Sequence, residues 1–227
     1  MTSMPMSTHQ HRARATPQTG ALRRIASARL PTNWGIFQAM RFEREWWTAG
    51  RTAERALALL LGDLSQGAPL LRIHSQCLTG EVFGSLRCDC GGQLNLAMQA
   101  IAQEGRGLMI YEFQEGRGIG RACELKEVGI DTIEANRVLG FGRDFSLAAA
   151  ILHDLRVPRV RLLTNNPRKV RALNDAGIEI VERLPCEVGS TAHSRAYLQD
   201  EKHKMGHALS LEIPAPGHAA NGIEVQL

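Results

Sequence analysis

Cys77, Cys88 and Cys90 are the residues of this 227-residue chain whose types and spacing most clearly point to chemistry. They lie in His74-Ser75-Gln76-Cys77 and, ten residues on, in Cys88-Asp89-Cys90-Gly91-Gly92. Thiolates at this spacing can converge on one soft cation, with zinc the leading candidate. Free cysteine also packs as a small apolar residue. A Cys-x-Cys hook followed by glycines suits a turn around an ion better than a core. Structural zinc sites are closed by four protein ligands, whereas catalytic sites keep one position for water. This segment supplies three ligands, which points to a metal-held water and hydrolysis. Cys123 or His74 as a fourth ligand would instead make the site structural.

Other segments offer anion chemistry. Glu115-Gly116-Arg117-Gly118-Ile119-Gly120 follows an apolar run, and glycines there let backbone N–H groups approach phosphate oxygens, though the pattern also fits an ordinary turn. Thr164-Asn165-Asn166-Pro167-Arg168-Lys169 reads as a helix start followed by two cations, an anion site if its N–H groups are free and a capped helix with a basic face if they are not. Gly142-Arg143-Asp144-Phe145 alone reads as a surface ion pair. His203 and His207, four apart, read as solvated histidines in the absence of a third ligand. A metal-held water beside two anion-binding devices suits a nucleoside triphosphate.

The elements that must position these residues follow from periodicity and punctuation. Strands are expected over Ala56–Leu64, Leu70–His74, Leu108–Phe113, Val160–Leu163 and Ile178–Glu182. Helices are expected over Gln93–Gln103, ending at Gly105, over about 134–155 with a break near Gly140–Gly142, from Pro167 to about Ala176, and near Arg195–His207. Alternating strands and helices predict an α/β (α+β) fold, a mixed β-sheet layered with helices in a single main domain. Residues 1–22 are expected to form a disordered basic arm, 23–208 the catalytic domain and 209–227 a loose tail.

Composition sets limits. Residues 1–42 hold six arginines and no acid, while the remaining 185 residues carry 21 basic and 23 acidic side chains, a net −2. The formal charge of +4 therefore belongs to the N-terminal arm, which is read as a solvated tail. No apolar run reaches the ~18 residues of a membrane span, and no apolar core follows the N-terminus as in a secretory signal. Five cysteines without an export signal point to free thiols in a reducing cytoplasm.

Taken in order, Arg72-Ile73-His74-Ser75-Gln76-Cys77-Leu78-Thr79-Gly80, Ser85-Leu86-Arg87-Cys88-Asp89-Cys90-Gly91, Gln114-Glu115-Gly116-Arg117-Gly118-Ile119-Gly120, Asp131-Thr132-Ile133-Glu134-Ala135-Asn136 and Leu162-Leu163-Thr164-Asn165-Asn166-Pro167 resemble GTP cyclohydrolase II. Leu30-Pro31-Thr32-Asn33-Trp34-Gly35 and Lys204-Met205-Gly206-His207 fit its two ends, so the resemblance spans roughly residues 22–208. It implies an enzyme that opens the guanine imidazole ring of GTP, releases formate and pyrophosphate, and begins riboflavin synthesis. It further implies one zinc ion per chain, magnesium with the triphosphate, and a homodimer. By motif, Cys77, Cys88 and Cys90 would hold zinc. Arg72, Ile73, His74, Ser75, Gln76 and Gln93 would contact the nucleotide, as would Glu115, Gly116, Arg117, Thr132, Thr164 and Lys169. Arg143 matches the arginine proposed to attack the α-phosphate and expel pyrophosphate.

The chain departs from that family's pattern in two places. From Gly120 to Asp131 it is about five residues shorter and carries no tyrosine where the family has one. Leu139-Gly140-Phe141-Gly142-Arg143 omits about three residues and with them an acidic base, and Phe141 stands in the aspartate's place. Asp144 or Glu134 are the candidates to substitute. Two other readings follow: a paralogue with an altered product or pathway, and a zinc-stabilised nucleic-acid-binding module. The body's net −2 and its lack of an aromatic stacking series count against the last.

Overall fold

A computed structural model describes residues 18–47, 51–113 and 145–210. Its seven-stranded sheet has the order β1-β2-β3-β5-β4-β6-β7. One half is an antiparallel meander of β1 (Gln18–Thr32), β2 (Gly35–Trp47) and β3 (Arg51–Leu61). The other half is built from β4 (Leu70–Ser75), β5 (Gly107–Glu112), β6 (Arg159–Leu163) and β7 (Glu179–Leu184), whose neighbouring pairs run parallel. β3 joins the halves by pairing antiparallel with β5. The helices are α1 (Leu78–Glu81), α2 (Cys90–Glu104), α3 (Ser146–Asp154), α4 (Pro167–Asp175) and α5 (Arg195–His203). The expected α/β layering is observed.

Sequence alternation explains the two halves. In β2, Met40, Phe42 and Arg44 are buried at period two, as in a strand with one face on the core. β4 and β5 are buried almost throughout, as parallel strands covered on both faces must be. Leu71, Ile73, Leu108 and Ile110 pack under α3 with Leu147, Ile151 and Leu152. Leu70 and Met109 face the other way, against Ala97, Met98 and Ile101 of α2. The sheet is thus sandwiched where the parallel strands end.

Several boundaries differ from those expected. β1 starts at Gln18, within the segment expected to be loose, because its backbone completes the ladder on β2 from Gln18↔Trp47 to Thr32↔Gly35. β3 stops at Leu61, since Gly62 adopts φ +68 and turns the chain before Leu64. α2 begins at Cys90 rather than Gln93 and ends at Gly105 in the left-handed conformation (φ 69), as read from the sequence. Asn166 caps α4 by accepting from Arg168 N, with Pro167 in the first turn. Of the helical zone expected over 134–155, α3 is observed; residues 134–144, with Glu134, Arg143 and Asp144, lie outside the described residues.

Ile151 is fully buried between α3 and the sheet, whereas Ile36 is 52% exposed. Ile151→Ala should therefore cost about 2–5 kcal/mol of unfolding free energy, and Ile36→Ala about 0.5 kcal/mol or less. Urea denaturation of the two variants checks the ordering.

Candidate active site

β4 and β6 end at one edge of the sheet, and an open cleft lies there. In open α/β sheets ligands bind outside the carboxyl ends of the strands, and here the residues beyond those ends form the walls. β4 supplies Arg72, His74 and Ser75; the loop after β6 supplies Thr164, Asn165 and Asn166. α2 adds Cys90 and Gln93, and α4 adds Lys169. A segment far along the chain, Tyr197, Glu201 and His207, closes the remaining side.

The cysteine sulfurs of Cys77, Cys88 and Cys90 lie within 4.8 Å of one another. Cys77 Sγ and Cys88 Sγ are 3.7 Å apart. Two thiolates bound tetrahedrally at ~2.3 Å would be separated by about 3.8 Å, so the pair is already spaced for a common ion. Hydrogen bonds from Cys88 and Cys90 draw Cys77 well below the usual thiol range. Cys88 and Cys90 are pushed up, foremost by the same hydrogen bonding to Cys77. Without a cation one thiolate is stabilised at the expense of the other two. A metal ion among them would remove that conflict. The donor set therefore fits a soft metal.

Local sequence makes the cluster possible. A Cβ on Gly80 would stand 2.7 Å from Cys88 Sγ and 3.3 Å from Cys77 Sγ, so only glycine leaves room for the sulfurs. Glu81 anchors the loop from beneath: Oε1 accepts from Cys77 N at 2.8 Å and from His74 Nε2 at 2.9 Å, and Oε2 accepts from the Tyr111 hydroxyl. The Tyr111 ring stacks on His74 with centroids 5.7 Å apart. His74 Nε2 is engaged with Glu81, and neither ring nitrogen of His74 belongs to the group formed by the three sulfurs. Cys123 lies outside the described residues, and so do Glu115, Gly116, Arg117, Thr132 and Arg143.

The other expected site residues divide by role. Arg72 Nη1 donates to Leu163 O at 3.0 Å and Nη2 to Gln93 Oε1 at 2.5 Å; Gln93 Nε2 in turn donates to Asp89 Oδ2 at 2.6 Å. Lys169 Nζ donates to Ile73 O at 2.8 Å and lies 5.2 Å from the centre of the Phe145 ring. Phe145 reaches that place with φ 51, in the left-handed region. The side chain of Ile73 is fully buried in the core, so its carbonyl is what serves the site. Gln76 is half-buried and is not part of the cleft wall.

Thr164 Oγ1 accepts from Asn166 N, and the Asn166 side chain takes the next N–H, that of Arg168. Pro167 has no N–H to offer. The start of α4 is thus a capped helix, and the cation it brings to this wall is Lys169. His203 is exposed as expected, but His207 is not solvated: its side chain is 10% exposed and its Nδ1 lies 3.2 Å from Glu201 Oε2. Asp89, Tyr197, Glu201 and His207 join the site without having been singled out for it by sequence. Burial and the charge of Glu201 push Asp89 up to about 6, and burial pushes Tyr197 well above its usual range.

Four buried polar atoms on this one cleft have no hydrogen-bond partner among the described residues: Arg72 Nε, His74 Nδ1, Ser75 Oγ and His207 Nε2. Native folds leave few buried polar groups unsatisfied. All four belong to residues that line one cleft, whose lining is suited to a polar ligand.

Fold and site together define a polar cleft at the carboxyl ends of the parallel strands with a cluster of three cysteines beside it. Residues 23–185 match the family model described as GTP cyclohydrolase II. The chain is 47% identical over 201 residues to GTP cyclohydrolase-2 of Shewanella amazonensis, covering 85% of this chain and 96% of the relative. It is 50% identical over 200 residues to that of Pectobacterium atrosepticum, covering 84% and 99%, and 49% identical over 195 residues to that of Neisseria meningitidis serogroup A, covering 82% and 96%. The chain belongs to the GTP cyclohydrolase II family. No helix among the described residues is long and apolar enough to cross a membrane.

Two outcomes are expected. Gly80→Ala should reduce bound metal well below one equivalent in elemental analysis while leaving the far-ultraviolet circular dichroism unchanged, because the added methyl group displaces the sulfurs and not the sheet. Burial lowers His74 from 6.5 to about 4. Between those values the unfolded chain binds a proton that the folded chain refuses, so His74 makes stability fall as pH drops through that window. In urea denaturation of the metal-free protein, wild type should lose more stability than His74→Gln between about pH 7 and about pH 4.5.

Proposed function

We propose that this chain hydrolyses GTP as a zinc-dependent GTP cyclohydrolase II, opening the guanine imidazole ring with loss of formate and pyrophosphate. The observation that carries this reading is the placement of Cys90, one of three clustered thiols, on the same cleft as Arg72, Gln93, Thr164 and Lys169. Zinc held by Cys77, Cys88 and Cys90 would supply a water of lowered pKa. Arg72 and Lys169 are buried and hydrogen-bonded in place, so they meet the triphosphate with little reorganisation and offset charge on departing pyrophosphate. Magnesium would accompany the phosphates. Glu115, Gly116, Arg117 and Thr132 complete nucleotide binding in this reading, with Arg143 as the nucleophile toward the α-phosphate. Guanidinium stays protonated in proteins, so Arg143 needs a base beside it. A homodimer, a cytoplasmic setting and a first step of riboflavin synthesis accompany the proposal.

A second reading, an altered product, is favoured by the shortened stretches before Asp131 and at Gly142-Arg143, where the family's tyrosine and acidic base are missing. Product mass separates the two. Incubation with GTP, zinc and magnesium should yield formate and pyrophosphate, and Cys90→Ser should lose both zinc and turnover. Pyrophosphate without formate, or the reverse, selects the second reading. Stoichiometric zinc with neither product defeats both.

A further inference from the structure

Two histidines from distant parts of the chain share one construction on the cleft. His74 Nε2 faces Glu81 Oε1 at 2.9 Å, and His207 Nδ1 faces Glu201 Oε2 at 3.2 Å. In the tautomer that gives each facing carboxylate oxygen a hydrogen bond, the nitrogen toward Glu81 or Glu201 is the donor. The other nitrogen of a neutral imidazole is then a bare acceptor. Those remaining atoms, His74 Nδ1 and His207 Nε2, are buried and unpartnered among the described residues, and both residues line the cleft.

The turn that carries His207 is fixed from both sides. His207 N donates to Glu201 O, and Ala208 N donates to Asn165 O, each at 2.9 Å. The Tyr197 hydroxyl holds the other oxygen of Glu201. The C-terminal segment is therefore stitched to the loop after β6. Arg72 and Lys169 are donors suited to phosphate. Phosphate oxygens have no hydrogen to give a bare acceptor, so the histidine pair calls for a different part of the ligand.

We propose that His207 reads the nucleobase: its Nε2 accepts from the amino group on the pyrimidine edge of a purine, with His74 Nδ1 as a second acceptor, for the ring N–H. The inference rests on the nucleotide reading above. Guanine presents both a ring N–H and an amino group on that edge; hypoxanthine lacks the amino group, and adenine presents an unprotonated ring nitrogen. A base without the matching donor leaves a buried acceptor unpaired, which is a strong basis for rejection.

The test is calorimetric binding of guanosine monophosphate, inosine monophosphate and inorganic triphosphate to the full-length zinc-loaded protein. Wild type should prefer the guanine nucleotide to the hypoxanthine nucleotide by at least about tenfold. His207→Leu should erase that preference and leave triphosphate affinity and zinc content unchanged. His207→Gln, whose amide oxygen is an acceptor, should restore part of it. An unchanged preference in His207→Leu overturns the proposal. So does an equal loss of triphosphate binding, which would make the ring a charged phosphate contact. Wild-type protein that binds neither nucleotide overturns the nucleotide reading itself, and this inference with it, before any variant is made.

Discussion

The constraint on which the site depends is that three thiolates cannot share a few ångströms without a cation between them. The thiols of Cys88 and Cys90 are held up while that of Cys77 is drawn down, so hydrogen bonds alone leave the cluster with one charge and two suppressed ionisations. The surrounding structure spends its specificity on keeping the sulfurs together all the same. Gly80 leaves the space, Glu81 fixes the Cys77 amide, and Cys90 opens α2, where the helix dipole favours a thiolate. A fold that keeps three sulfurs this close beside a cleft offers a donor set that could hold a metal ion.

The sheet explains why that cluster meets a binding wall. β4 carries Arg72 and His74 toward the same edge at which β6 delivers Thr164, and α2 returns from Cys90 across both. Arg72 joins the three elements, touching Leu163 of β6 and Gln93 of α2 from its place on β4. The antiparallel meander does not line the cleft; it buries the outer flank of β5 through β3 and extends the sheet away from the chemistry.

Sequence made the local devices legible and the long-range ones opaque. The cysteine spacing, the Gly105 stop of α2 and the Asn166 cap of α4 are each encoded within a few residues, where propensity and capping act. The meander was hard to read because β1 is an edge strand, exposed along most of its length and rich in arginine, so it lacks the apolar alternation that marks a half-buried strand. β2 conceals its pattern by burying Arg44, which is paired with Glu54 at 2.6 Å and donates to Ser146 at 2.7 Å. Tyr197, Glu201 and His207 were illegible for another reason. Taken alone, a Tyr-x-x-x-Glu pair and a histidine near a helix end look like a solvated face. They become site residues when the turn after α5 docks on Asn165, a partner 43 residues away along the chain.

The start of α4 shows how a correct local reading can mislead about function. Asn, Asn and Pro before two cations describe an anion site and a capped helix equally well. The hydrogen bonds decide between them, because the Asn166 side chain occupies the donor that a phosphate would need. What remains is Lys169, buried, with its ammonium on Ile73 O and beside the Phe145 ring. Burying an ammonium is costly unless it is hydrogen-bonded, and the β4 carbonyl together with the ring face offsets that cost. Thr164 and Asn166 hold the start of α4 in register while both line the cleft, and the positive charge comes from a side chain already fixed by its own contacts.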